Sequence, residues 1–100
     1  MKIRIPKSKI TDPERFIRRA GYGRVFDRRM NQVSYAKRLH GDLYPRFHVY
    51  VNEQGEDWVL NLHLDQRATR YEGVTAHSGE YDGAVVEKEA ERIMESLKSF

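Results

Sequence analysis

Arg46-Phe47-His48-Val49-Tyr50-Val51-Asn52 and Trp58-Val59-Leu60-Asn61-Leu62-His63-Leu64 are the two runs whose reading decides the fold. Both are rich in β-branched and aromatic residues, and both alternate in the period-two pattern of a strand with one face buried. Gln54-Gly55-Glu56 between them is a tight turn, so the two runs form an antiparallel hairpin. Alternation sends Phe47, Val49 and Val51 to the same face as Trp58, Leu60, Leu62 and Leu64. The opposite face receives His48 and Tyr50 from one strand and Asn61 and His63 from the other, with Asp65 following where the strand continues. A Gln54-Gly55 turn sets His48 opposite Asn61, whereas a Gly55-Glu56 turn sets it opposite His63. In either register these side chains are direct or diagonal neighbours, within about 8 Å between Cβ atoms.

Period two extends upstream as far as Gly23. Arg24–Arg28 reads as a strand, Arg29-Met30-Asn31-Gln32 as a turn, and Val33–Leu39 as a second strand. His40-Gly41-Asp42-Leu43-Tyr44-Pro45 is a loop. Before this meander lies a short helix. Asp12 can cap it with Pro13 at the first helical position, and Thr11 with Glu14 fits a capping box. Phe16, Ile17 and Ala20 form its apolar face, and Gly21 suits its end. Lys2-Ile3-Arg4-Ile5 alternates, so residues 1–10 are an edge strand or a loose arm, closed by Pro6. On the other side of the hairpin, residues 65–83 show no strong periodicity, and connections of that length are commonly functional. A final helix spans about Ala84–Lys98, with Asp82 as its N-cap. Val86, Ala90, Ile93 and Leu97 make its buried stripe, and Glu87, Glu91 and Glu95 an acidic one. The fold class is α+β: two helices on one face of an antiparallel meander of three to four strands, in one domain of 100 residues.

Composition excludes several classes. There is no Cys, hence no disulfide framework, thiol nucleophile or Cys-based zinc site. No apolar run reaches the roughly 18 residues of a membrane helix, and MKIRIPKSKITD lacks the core of a signal peptide. A cytoplasmic protein with no membrane association is expected. Charge is uneven: residues 1–46 hold thirteen bases and four acids, a net +9, and residues 47–100 hold five bases and eleven acids, a net −6. A basic half points to an RNA, DNA or other anionic partner. Arg15, Arg18, Arg19, Arg24, Arg28 and Arg29 would then supply phosphate contacts. The plainer reading is that the two halves pack together and neutralise each other.

The second candidate site is the outer sheet face: His48, Tyr50, Asn61, His63 and Asp65, with His77 folding over from the long loop, accompanied by Glu80, Tyr81 and Asp82. Imidazoles with a carboxylate can ligate Zn, Mn or Fe, or act as acid and base near neutral pH. His63, Asp65 and His77 are the metal-ligand candidates, set against a polar face of solvated histidines. No cofactor is assigned. The two glycines of Gly21-Tyr22-Gly23 follow a helix instead of preceding one, so they do not make a phosphate loop.

Two resemblances bear on function. Phe16–Tyr22 reads FIRRAGY, followed by strands, by Leu60-Asn61-Leu62-His63 and by a terminal helix. This resembles the HicA (YcfA-like) toxin family, which implies a double-stranded-RNA-binding-domain fold and mRNA cleavage. The Gly-Ser-His motif that carries the family's catalytic His is missing, so that residue does not carry over. Double-stranded-RNA binders also open their last helix with lysines, where this chain has Glu87 and Glu89. YPRFHVYV (44–51), NLHLDQ (61–66), AHSGEYDG (76–83) and VEKEAERI (86–93) are similar to segments of short uncharacterised bacterial proteins of candidate phyla, a likeness over residues 10–98 that implies no function. The sequence therefore ranks a nucleic-acid- or anion-binding module first. A protein-interaction or homodimer domain using the outer sheet face comes second, and a metal- or His-dependent enzyme third, so that an enzyme is the less favoured expectation.

Overall fold

The computed structural model describes residues 1–28, 31–66 and 83–100, together with the backbone of 79 and 80. The elements run β1 (Lys2–Pro6), α1 (Pro13–Arg19), β2 (Gly23–Asp27), β3 (Gln32–Arg38), β4 (Arg46–Gln54), β5 (Asp57–Asp65), β6 (Gly79–Glu80) and α2 (Ala84–Leu97). The sheet is antiparallel, in the order β1-β5-β4-β3-β2, and β6 pairs with β5 beyond the end of β1. The expected meander is β2 to β5. The lone segment Lys2–Pro6 is an edge strand against β5, with Ile3 opposite Leu60 and Ile5 opposite Trp58.

Both helices lie on one face. Phe16 and Ile17 of α1 and Val86, Ala90 and Ile93 of α2 share one core with Ile3, Ile5, Tyr35, Phe47, Val49, Leu60, Leu62 and Leu64. Val51 and Trp58 pack against its margin. Asp12 caps α1 by accepting a hydrogen bond from the Arg15 amide, with Pro13 in the first turn. Gly21 follows at φ +105°, a conformation that favours glycine, and a Cβ there would also crowd the Lys37 side chain at 3.2 Å. For α2 the N-cap position is Gly83, with no side-chain cap; Asp82 lies outside the described residues. A two-residue strand, β6, stands within the segment read as an aperiodic connection. Its partners are Leu64 and Asp65, so that segment returns to the end of β5. Among the described residues no helix is long and apolar enough to cross a membrane.

The hairpin turn is the Gly55-Glu56 alternative, with Gly55 at φ +57°. His48 therefore stands opposite His63, Tyr50 opposite Asn61, and Arg46 opposite Asp65. On β3, Ala36 is opposite His48 and Arg38 opposite Arg46. The outer face is not a solvated one. His48 is 8% exposed and His63 7%, and Val59, on the same face but outside the helix-side core, is fully buried.

Candidate metal centre

Asp65 organises the outer face. It ends β5 two residues after His63 and directly opposite Arg46, with His48 diagonal to it across the β4–β5 ladder. Its Oδ2 lies 3.0 Å from His48 Nδ1 and its Oδ1 2.8 Å from His63 Nε2, so one carboxylate bridges two imidazoles. The Arg46 guanidinium adds a longer contact of 3.5 Å to Oδ2 and lies over the Tyr44 ring, 4.8 Å from its centroid. Burial pushes the Asp65 carboxyl upward, but hydrogen bonds and charge from His48 and His63 outweigh it and hold the group well below the usual carboxylate range. An ionised carboxylate only accepts hydrogen bonds, so Nδ1 of His48 and Nε2 of His63 each donate to it.

The rings are packed together. His48 and His63 have centroids 5.0 Å apart, and Tyr50 lies 4.7 Å from His48 and stacks on His63 at 5.7 Å with an interplanar angle of 14°. On its far side His48 Nε2 meets Ser34 Oγ at 2.5 Å. Ser34 is the β3 residue diagonal to His48, and it is only 1% exposed.

One ligand atom from each of His48, His63 and Asp65 falls within a set spanning no more than 4.8 Å. An ion with bonds of about 2.0–2.2 Å needs donors roughly 3–4 Å apart, which is the scale of this cluster. Two imidazoles and a carboxylate suit Zn, Mn or Fe, and a three-donor set leaves coordination positions open.

The sequence expectation that an enzyme is the less favoured reading is corrected here. Two buried histidines converging on one half-buried carboxylate are a positive sign of a metal or catalytic centre, which a solvated polar face would not be. The ligand set also differs in membership from the expected one: His48 joins His63 and Asp65. His77, Tyr81 and Asp82 lie outside the described residues, and Glu80 is described in its backbone alone. Tyr50 is part of the cluster, while Asn61 stands one row further on, opposite Tyr50.

Sequence reasoning missed Ser34 and Arg46. Arg46 shares the alternation of His48 and Tyr50 on β4, a signal that could have found it, whereas Ser34 is brought in by the β3–β4 register.

The arginines are placed elsewhere. Arg15, Arg18 and Arg19 line one groove of about 690 Å³ beside Tyr22 at the end of α1, together with the acidic Asp12 and Glu14. Arg24 approaches Glu14 at 3.9 Å, Arg28 is exposed after β2, and Arg29 lies outside the described residues. Comparison of the chain with protein-family models, with curated proteins and with solved structures finds a match in none of the three.

Proposed function

We propose that this protein is a metal-dependent enzyme whose centre is His48, His63 and Asp65 on the outer face of the sheet. The observation that carries the reading is the convergence of two imidazole nitrogens on the two oxygens of one ionised carboxylate, at 3.0 and 2.8 Å. A divalent ion held by such a set acts as a Lewis acid and lowers the pKa of a bound water, so hydrolysis is the reaction class it suits. Tyr50 and Arg46 flank the site. The aromatic ring offers a surface to stack on, and the guanidinium offers a donor to a substrate anion.

Metal content after purification without chelators, and thermal unfolding with Zn²⁺ or Mn²⁺, test this directly. An ion at a hundred times its Kd stabilises by about 2.7 kcal/mol, a rise of roughly 10 °C or more for a chain of this size. The rise is expected in the parent and absent in His63→Ala. A metal-free preparation with no thermal response to either ion would falsify the reading.

A second reading rests on a separate observation, the gathering of Arg15, Arg18 and Arg19 along one groove. Guanidinium groups so placed bind phosphates as charge partners without reading bases. Fluorescence anisotropy with RNA and DNA at about 50 and 200 mM salt is expected to show salt-sensitive binding. The Arg18→Glu/Arg19→Glu double variant should lose it, and equal binding by that variant removes this reading.

A further inference from the structure

We infer that Ser34 is a positioning residue that holds the His48 ring with Nδ1 toward the ion, an inference that rests on the metal reading above. Hydroxyl, imidazole and carboxylate follow one another here: Ser34 Oγ at 2.5 Å from His48 Nε2, and His48 Nδ1 at 3.0 Å from Asp65 Oδ2. That order is the one found in nucleophilic triads. Ser34 does not fit the nucleophile's part, because at 1% exposure its oxygen cannot meet a substrate without movement of the strand that carries it. The contact to the ring is what remains for it to provide.

The chemistry of the two states shows why a hydroxyl belongs there. Without an ion, His48 Nδ1 carries a hydrogen and donates it to Asp65; in the neutral form of the ring Nε2 is then an acceptor to which Ser34 Oγ–H donates. With an ion on Nδ1, the hydrogen on that nitrogen would leave to solvent and Nε2 would take one up from solvent, so that the ring stays neutral with no net change in protons. Nε2–H then donates to Ser34 Oγ. A serine hydroxyl serves both states by turning about its C–O bond, since its oxygen carries one hydrogen and two lone pairs. Alanine serves neither, and in the metal-bound state it leaves a buried N–H without an acceptor. Outer partners of this kind commonly set metal affinity by 10- to 100-fold.

Calorimetric titration with Zn²⁺ alone is the test, on the parent and on Ser34→Ala, Ser34→Thr and His63→Ala. Zinc binding is expected in the parent, about 10- to 100-fold weaker binding in Ser34→Ala, recovery with the hydroxyl of Ser34→Thr, and none in His63→Ala. In parallel, long-range ¹H–¹⁵N spectra of the zinc-loaded parent should place the His48 hydrogen on Nε2. Parent-like affinity in a folded Ser34→Ala protein overturns the inference and leaves the metal reading standing. A His48 hydrogen on Nδ1 in the loaded parent overturns it as well, and this measurement decides the matter if Ser34→Ala does not fold. A parent that binds no zinc overturns the metal reading itself, and this inference with it.

Discussion

Asp65 must accept from two imidazoles at once, and only a carboxylate has two equivalent acceptor oxygens for that task. In Asp65→Asn one oxygen becomes an NH₂ group facing an N–H donor, so one buried imidazole loses its acceptor. We expect the metal-free protein to lose about 1–3 kcal/mol, read as a lowered urea midpoint in the presence of a chelator. An unchanged midpoint would mean that the carboxylate bridge is not part of the metal-free fold. His48, His63 and Asp65 were legible in the sequence because alternation alone assigns them to one face. Ser34 was not. Its closeness to His48 depends on the β3–β4 register, and the connection from Leu39 to Pro45 has no short-turn signature from which that register could be counted. Serine on a strand also carries no chemical mark of its own.

At the scale of elements, the two helices are tied by a polar clamp within the helix-side core. Glu89 of α2 is 6% exposed. It accepts hydrogen bonds from Tyr22 Oη at 2.5 Å and from Arg92 Nε and an Arg92 terminal nitrogen at 2.8 and 2.9 Å. Arg92 also donates to the Ala20 carbonyl, the open end of α1, at 2.7 Å. Burial raises the Glu89 pKa, yet the hydrogen bonds from Arg92 and Tyr22 outweigh it and hold the group below the usual range. Burial, then the bond to Glu89, pushes the Tyr22 phenol upward. A carboxyl whose folded pKa is depressed contributes stability that is complete above its unfolded pKa and is lost as pH falls through the folded one. Stability should therefore decline below about pH 4.3, the ordinary glutamate value. Glu89→Gln should flatten that part of the pH profile and cost about 1–3 kcal/mol at neutral pH. Chemical denaturation of both proteins across pH 2–7 checks this, and parallel profiles would count against the clamp. The apolar stripe Val86, Ala90, Ile93 and Leu97 could be read from helical spacing, but Glu89 flanks that stripe. Arg92, one turn on, offers a local partner, but the approach of Tyr22, 67 residues earlier, could not be read from that spacing.

At the scale of the whole molecule, the hairpin and the two helices were legible because each is specified by residues close in sequence: alternation, a turn, a cap, a stripe. The pairing of β1 and β6 with β5 was not, because nothing local states which sheet edge a short strand will join. The charge asymmetry is partly answered by the same long-range pairing. Lys7 meets Glu53, Arg4 meets Asp57, and Arg46 meets Asp65, each joining the basic half to the acidic one. Exposed pairs of the first two kinds contribute little individually.

The place of β1 also has a consequence in time. Ile3 lies opposite Leu60, so β1, once synthesised, waits for a partner made 57 residues later. Until β5 emerges, β1 has no strand to pair with, and the metal cluster lacks His63 and Asp65. Completing the central hairpin therefore supplies the partner strand for β1 and the last two ligands in a single stretch of synthesis. The chain has no interval in which it carries all three ligands without the strand that pairs with β1.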